Sequence, residues 1–273
     1  MLRNEGEPLT RVVVTEPGSA FGRVTDPAVH GMLGVPDLER ARRQHETLCA
    51  VLGRQGAEVV VLTEPSDLPN AVFARDSSLV TPMGHIHLRM GLPSRRGEAI
   101  WMSQELDRLS APLVGGIEEP GTVEGGDVIL MGDVAFVGSS SRTNEEGLRQ
   151  LNGILAAQGY EVRIASVSDR YMHIGGLMST LGPRRVLRCR GLFPEGFFDG
   201  FETVDIDWYA PSCANVICLR PDEVVADASE NGPTIEVLEQ SGVTVHALDL
   251  SEFRTAGGGP SCLILPLERV PGY

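Results

Sequence analysis

Apolar positions along the chain switch between two periods. In LCAVLGRQGAEVVVL (48–62), leucine and alanine recur at helical spacing as far as a glycine, and a β-branched alternating run follows. ILAAQGYEVRIA (154–165) and IEVLEQSGVTVHAL (235–248) repeat the arrangement. In each, the glycine suits the left-handed stop of a helix. The pattern predicts three helix–strand units, with weaker versions at 102–117 and 192–206. Repetition of this kind predicts an α/β repeat architecture with one function-bearing end. Asp76 follows Gly56 by twenty residues, Cys262 follows Gly242 by twenty, and His173 follows Gly159 by fourteen. If the units are equivalent in space, these three side chains emerge at similar places around a shared axis.

Other elements follow from local signals. RVVVTEP (11–17) predicts a first strand, and PDLERARRQHETLCAVL (36–52) an amphipathic helix with Pro36 and Asp37 at its start. ANVICL (214–219) and EVVADA (223–228) predict a hairpin around Arg220–Asp222. Residues 18–36, rich in glycine and proline, predict a loop able to act as a lid. No linker, charge block or low-complexity stretch interrupts the chain, so a single domain over residues 1–273 is expected.

Composition narrows the function. With 273 residues, 42% of them hydrophobic, there is enough apolar material for a full core. The longest apolar runs, Val59–Leu62 and Cys262–Leu267, are too short to span a bilayer, so no membrane partner is expected. MLRNEGEPLT at the N-terminus has no apolar signal core, which predicts a cytoplasmic protein. Cysteines at 49, 189, 213, 218 and 262 form no CxxC pair and read as free thiols in a reducing compartment. No histidine or cysteine pair sits near Cys213 and Cys218 to complete a zinc site, so no metal is expected. A net charge of -14 argues against nucleic acid as a partner. It is compatible with a small cationic substrate, and equally with plain solubility.

Several residues carry candidate chemistry. Cys262 closes GGGPSC (257–262) and opens an apolar run. The glycines permit close approach of a ligand to the thiol, although a buried structural cysteine would fit the position too. His173 lies in YMHIGGLMSTL (171–181), where it can serve a thiol as acid and base or be a hydrogen-bonded core histidine. The other five histidines read as peripheral. TVEGGD (122–127) sets Glu124 and Asp127 around a Gly-Gly pair that leaves room above the backbone; a solvated turn is the alternative. NAVFARD (70–76) groups Asn70, Phe73, Arg75 and Asp76. A buried aspartate there would match a guanidinium bidentately, unless Arg75 takes it internally. PSRRGE (93–98) and SSRTNEEG (140–147) resemble helix starts and supply Arg95, Arg96 and Arg142, candidates to hold a substrate carboxylate.

Taken together, these stretches resemble the guanidino-group-modifying enzymes: arginine deiminases, dimethylarginine dimethylaminohydrolases and amidinotransferases. PDLERARRQHETL, LTEPSDLPNAVFARDSSLVT, LPSRRGE, TVEGGDV, SSRTNEEG, LFPEGFFDGFE and DLSEF stand in the order and spacing of a dimethylarginine dimethylaminohydrolase, over nearly the whole chain. The resemblance implies a five-bladed αβ propeller of pseudo-fivefold symmetry. It implies Cys262 as nucleophile on a guanidinium carbon and His173 as acid, then base. Glu124 would orient His173 and, with Asp76, bind guanidinium nitrogens. Asn70 and Phe73 would line the substrate site. Arg95 and Arg142 would grip the amino-acid end. It requires no metal and no organic cofactor, and its partner is a small cationic guanidino substrate. A homodimer stays open.

Departures from the family patterns define the alternatives. Arg75 stands where an acidic residue commonly precedes the matching aspartate, and Asn70 where an aspartate is common. Gly175 occupies the place, two residues after the histidine, where deiminases and amidinotransferases usually carry an aspartate. The expectation is a hydrolase of dimethylarginine or arginine that yields citrulline through a covalent Cys262 intermediate. The alternatives are an arginine dihydrolase giving ornithine, suggested by Asn70, and an amidinotransferase. A non-catalytic guanidine-binding protein comes last, because Cys262 and His173 are both present.

Overall fold

A computed structural model of the protein describes residues 2–270. The alternating runs form strands, and consecutive strands collect into five three-stranded sheets. In order along the chain the elements are β1 (Leu9–Thr15), α1 (Leu38–Arg54) and β2 (Glu58–Leu62). Then come β3 (Ser78–Thr81), β4 (Gly84–His87), α2 (Arg96–Arg108) and β5 (Leu113–Gly116). They are followed by β6 (Val128–Met131), β7 (Val134–Ser139), α3 (Glu145–Ala157) and β8 (Glu161–Ser166). Next are β9 (Met178–Gly182), β10 (Arg185–Cys189) and β11 (Glu202–Ile206). The last are β12 (Ile217–Arg220), β13 (Glu223–Asp227), α4 (Gly232–Gln240), β14 (Thr244–Leu248) and β15 (Ile264–Arg269).

Every sheet has the same construction. The first strand pairs antiparallel with the middle one, as β3 does with β4, and the third returns parallel to the middle one, as β5 does. The ring closes with β15, which supplies the first strand of the sheet that holds β1 and β2. This is the five-bladed αβ propeller that the resemblance implied. The first and middle strands are buried on both faces, and the outer strands β2, β8 and β14 are partly exposed. The core therefore lies between blades and around the axis.

Local signals place the helices. Asp37 caps α1 by accepting the Arg40 N–H, and Asn144 caps α3 through the Gly147 N–H. PSRRGE behaves differently. Arg95 is the cap residue of α2 without a side-chain cap, and the Ser94 hydroxyl donates instead to Val29 O. The weak unit at 192–206 contains β11 but no helix. Phe193, Phe197, Phe198 and Phe201 fill that crossover, three of them ringing Phe136 at centroid distances of 5.1–5.4 Å. Aromatic packing does there what a helix face does in the other blades.

The helix-stop glycines Gly56, Gly159 and Gly242 all have positive φ, at 97°, 80° and 82°. The unit at 102–117 makes the same turn with the exposed Ser110, at φ 64°. A β-carbon in this region costs roughly 1–2 kcal/mol, against roughly 0.5–1 kcal/mol for the extra chain entropy of glycine. Ser110→Gly should therefore stabilise the protein by about 0.5–1 kcal/mol. Urea denaturation checks this, and an unchanged or lower midpoint would contradict it.

Candidate active site

Short turns just ahead of the first strand in each blade converge on the axis. Single 3-10 turns occupy Ala74–Ser77, Gly125–Asp127, Ile174–Gly176 and Pro260–Leu263, and residues 211–214 form the fifth turn. The first packs on the second and on the Pro260–Leu263 turn, and the second packs on the third. They carry or adjoin Asp76, Glu124, His173, Asn215 and Cys262.

Gly126 makes the centre possible. A β-carbon there would lie 2.6 Å from His173 Nδ1 and 2.8 Å from Asp76 Oδ1. Only bare backbone admits both side chains. Glu124 is fully buried among them. Its Oε2 lies 2.8 Å from His173 Nε2, and its Oε1 accepts the Gly91 N–H at 3.0 Å and Arg142 Nη1 at 3.4 Å. His173 Nδ1 is 3.8 Å from Asp76 Oδ1. Asp76 Oδ2 accepts from Arg95 Nη1 at 3.0 Å, while its Oδ1 is buried without a hydrogen-bond partner. Arg95 also forks onto Glu98 at 2.8–3.1 Å, and Arg75 forks onto Glu5 rather than Asp76. Arg95 is thus held by carboxylates in this structure.

Cys262 is half-buried in its turn. It lines one small cavity, of about 20 Å³, with Asn70, Phe73, Asp76, Arg95, Arg142 and His173. His30 and Gly31, from the loop at 18–36, complete its wall. Asn70 Nδ2 donates to His30 O at 2.7 Å, and Glu64 accepts the Ala20 and Phe21 N–H groups at 2.9 and 3.1 Å. That loop is therefore tied down at two points, one of them at the cavity wall. A larger cavity, of about 270 Å³, shares Met172, His173, Gly257 and Cys262 with the small one. The predicted residues come together. His30 is no peripheral histidine, and His45 and His85 are buried. Cys189, Cys213 and Cys218 are buried structural thiols.

Asp127, the second carboxylate of TVEGGD, makes internal contacts. Its Oδ1 accepts the Ile174 N–H at 2.9 Å and its Oδ2 the Ser140 hydroxyl at 2.5 Å, tying the turn after His173 to the loop that carries Arg142. Met172, just before His173, has φ 61° and ψ -67°, and the His173 N–H closes a tight turn onto Tyr171 O at 2.7 Å. This strained γ-turn aims the imidazole. Neither role has a signal in the residue types alone.

The charges decide what the site can do. Burial disfavours the imidazolium of His173, but Asp76, Asp127 and the Glu124 hydrogen bond outweigh it and raise its pKa to about 9. Burial would raise Glu124, yet the His173 hydrogen bond and the Arg95 charge hold it well below the usual carboxylate range. Burial and Asp76 push the Cys262 thiol up to about 11, against a smaller opposing pull from Arg75 and Arg95. At neutral pH the resting pair is a thiol and an imidazolium. Ligand atoms of Asp76, Glu124 and His173 lie within 4.8 Å of one another, close enough for a metal ion. The Arg95 guanidinium stands 3.0 Å from Asp76 and 3.7 Å from Glu124, so a fixed cation already faces this cluster.

A propeller axis carrying a thiol, a carboxylate-held histidine and buried carboxylates defines a guanidino-group-modifying enzyme. The family described as "N,N dimethylarginine dimethylhydrolase, eukaryotic" matches residues 36–196. The N(G),N(G)-dimethylarginine dimethylaminohydrolase of Pseudomonas aeruginosa is 31% identical over 233 residues, 85% of this chain and 91% of that one. The protein of that name from Streptomyces coelicolor is 29% identical, covering 84% and 87% of the two chains. A solved mutant of the Pseudomonas aeruginosa enzyme, complexed with citrulline, superposes with a TM-score of 0.82 at 28% identity, over 94% of this chain and 99% of that one. The chain belongs to the dimethylarginine dimethylaminohydrolase family. Among the described residues no helix is long and apolar enough to cross a membrane.

The two pKa values predict a pH profile. Chemistry that needs Cys262 as thiolate and His173 as imidazolium gives a kcat/KM that rises to about pH 9, stays level, and falls above about pH 11. Steady-state kinetics across this range tests it, and a profile already level at neutral pH would contradict it. The raised His173 value also links charge to stability. That contribution is complete below the unfolded value of about 6.5 and is lost as pH rises through about 9.

Proposed function

We propose that the chain, as a single catalytic domain, hydrolyses a C–N bond of a methylated arginine, Nω,Nω-dimethylarginine foremost, to citrulline and an amine. The observation that carries this reading is the 270 Å³ cavity beside Cys262 and His173, into which Gly175 brings no side chain. Met172, Gly175, Gly176, Met178 and Val216 supply an apolar part of its wall, suited to N-methyl groups. A deiminase-like aspartate at 175 has no place: even a β-carbon there would lie 2.9 Å from Gly126 O.

The substrate guanidinium enters a field of buried carboxylates and offers its nitrogens to Asp76, whose Oδ1 is without a partner. Its positive charge, added beside Cys262, favours the thiolate, and the thiol proton leaves to solvent because His173 is already protonated. The thiolate attacks the guanidinium carbon. His173, already an imidazolium, gives its proton to the departing amine as the C–N bond breaks. The neutral imidazole then takes a proton from water, whose oxygen attacks the amidino-thioether carbon, and the C–S bond breaks to release the ureido product. Glu124 holds His173 in place and stabilises its charged form at 2.8 Å. Arg142, with its side chain 12% exposed and its guanidinium against Gly31, would meet the substrate carboxylate; its position on the cavity wall supports this reading.

The deciding experiment is mass spectrometry of products formed from L-arginine and from Nω,Nω-dimethylarginine in separate incubations. Citrulline with dimethylamine, from the methylated substrate alone, is the expected result. Citrulline from arginine alone would overturn the assignment of the leaving group. Ornithine would place the chain with the dihydrolases, the outcome that Asn70 favours. Cys262→Ala should retain the unfolding midpoint and show no turnover; activity in that variant would end the covalent mechanism.

Arg142 can be tested separately. A hydrogen bond to a charged group is worth roughly 1.5–3 kcal/mol, so Arg142→Ala should raise KM about tenfold to a hundredfold. Because Arg142 also supports Glu124, both substrates should lose kcat alike, but the decarboxylated analogue should show a much smaller rise in KM. Equal rises in KM for the two substrates would reject carboxylate binding by Arg142.

A further inference from the structure

Asn215 touches both the turn of Cys262 and the turn that follows His173. It lies two residues before β12, as Cys262 lies two before β15 and Asp76 two before β3. Its side chain is 1% exposed. Oδ1 accepts the Ser261 N–H at 2.8 Å. Nδ2 donates to Gly175 O at 2.8 Å and to Ser261 Oγ at 2.8 Å, and lies 4.0 Å from Cys262 Sγ. One amide therefore clips the turn that carries the nucleophile to the turn that follows His173. A hydrophobic side chain of similar size would pack the same space but take the hydrogen-bond partner from the Ser261 N–H and Gly175 O.

We propose that Asn215 is the positioning residue that fixes Cys262 relative to His173 and presents an amide N–H to the thiol sulfur. The assignment rests on Cys262 being the nucleophile. The amide has two protons and three acceptors in reach. In the resting site they go to Gly175 O and Ser261 Oγ, the nearer two. Once the thiolate forms, the sulfur becomes the strongest acceptor near Nδ2, and the proton shared with Ser261 can turn to it. The charged groups facing this thiol are Asp76, Arg75 and Arg95, with the His173 imidazolium on the same cavity wall. Among them Asn215 supplies a neutral donor whose direction is set by two further hydrogen bonds, the preorganisation that stabilises developing charge.

Two readouts test the proposal: steady-state kinetics, and the pH dependence of Cys262 alkylation by iodoacetamide, which needs no turnover. Asn215→Leu keeps a similar volume and removes the amide without adding charge; Asn215→Ala removes the clip. In both, kcat should fall about a hundredfold with KM within about threefold, as expected when reacting groups are misplaced by an ångström or less. The alkylation midpoint should move up. Ser261→Ala, at a half-buried position, frees the second amide proton for the sulfur and should move the midpoint down. A merely structural asparagine would lower the melting temperature and leave the midpoint where it is. Unchanged midpoints in the Asn215 variants, or an unchanged or higher one in Ser261→Ala, would overturn the proposal. If the Asn215 variants fail to fold, the Ser261→Ala result decides alone. Turnover by Cys262→Ala would defeat the nucleophile reading instead, and the alkylation midpoints would still report whether Asn215 governs the thiol.

Discussion

Buried charge governs this molecule. Glu124 is inaccessible to solvent, and Asp76, Glu98, Arg95 and His173 are nearly so. Ions taken out of water persist only when neighbours pair them, and removal of one partner from such a cluster costs about 3–5 kcal/mol. Glu124 answers this constraint with contacts from three directions: the Gly91 N–H, Arg142 and His173. Those partners come from different blades, so the electrostatics of the site and the closure of the propeller are one problem. The glycines of the 125–127 turn follow from it, since the imidazole and the Asp76 carboxylate need the space a side chain at Gly126 would occupy.

The same cluster explains the unequal states of nucleophile and acid. Carboxylates raise His173, and burial with Asp76 raises Cys262, so the resting site holds an imidazolium beside a neutral thiol. A cationic substrate reverses the local field where the thiol sits. On the proposed function, the thiol is then activated by the molecule it attacks. Family membership and the propeller make this logic applicable to the chain as a whole, not to an isolated Cys-His pair.

Pseudo-symmetry supplies the geometry cheaply in sequence. One construction, a turn, a hairpin, a crossover and a parallel strand, is used five times. Its turns deliver Asp76, Asn215 and Cys262 at equivalent distances from their strands. What differs among blades is the crossover: α1 to α4 serve four, and a cluster of phenylalanines serves the fifth. The structural role is the same, to cover the outer face of a sheet.

Much of this was legible in the chain. Helix-stop glycines at 56, 159 and 242 announce the repeat, because a positive φ at the end of a helix is a local demand met by local chemistry. Spacing from those glycines to Asp76, His173 and Cys262 anticipates their convergence. The resemblance carried the reading further, to five blades and a nucleophile. Asn215 had a signal, its register before β12, that becomes visible only once the strands are paired. Asp127, Glu98, Glu5 and the strained Met172 had none, since the partner of a buried ion or the aim of a side chain depends on residues from other blades. Residue types and local periodicity thus determined the repeat and the candidate chemistry of each turn. Tertiary structure alone decided which charge faces which, because that follows from the closing of the ring.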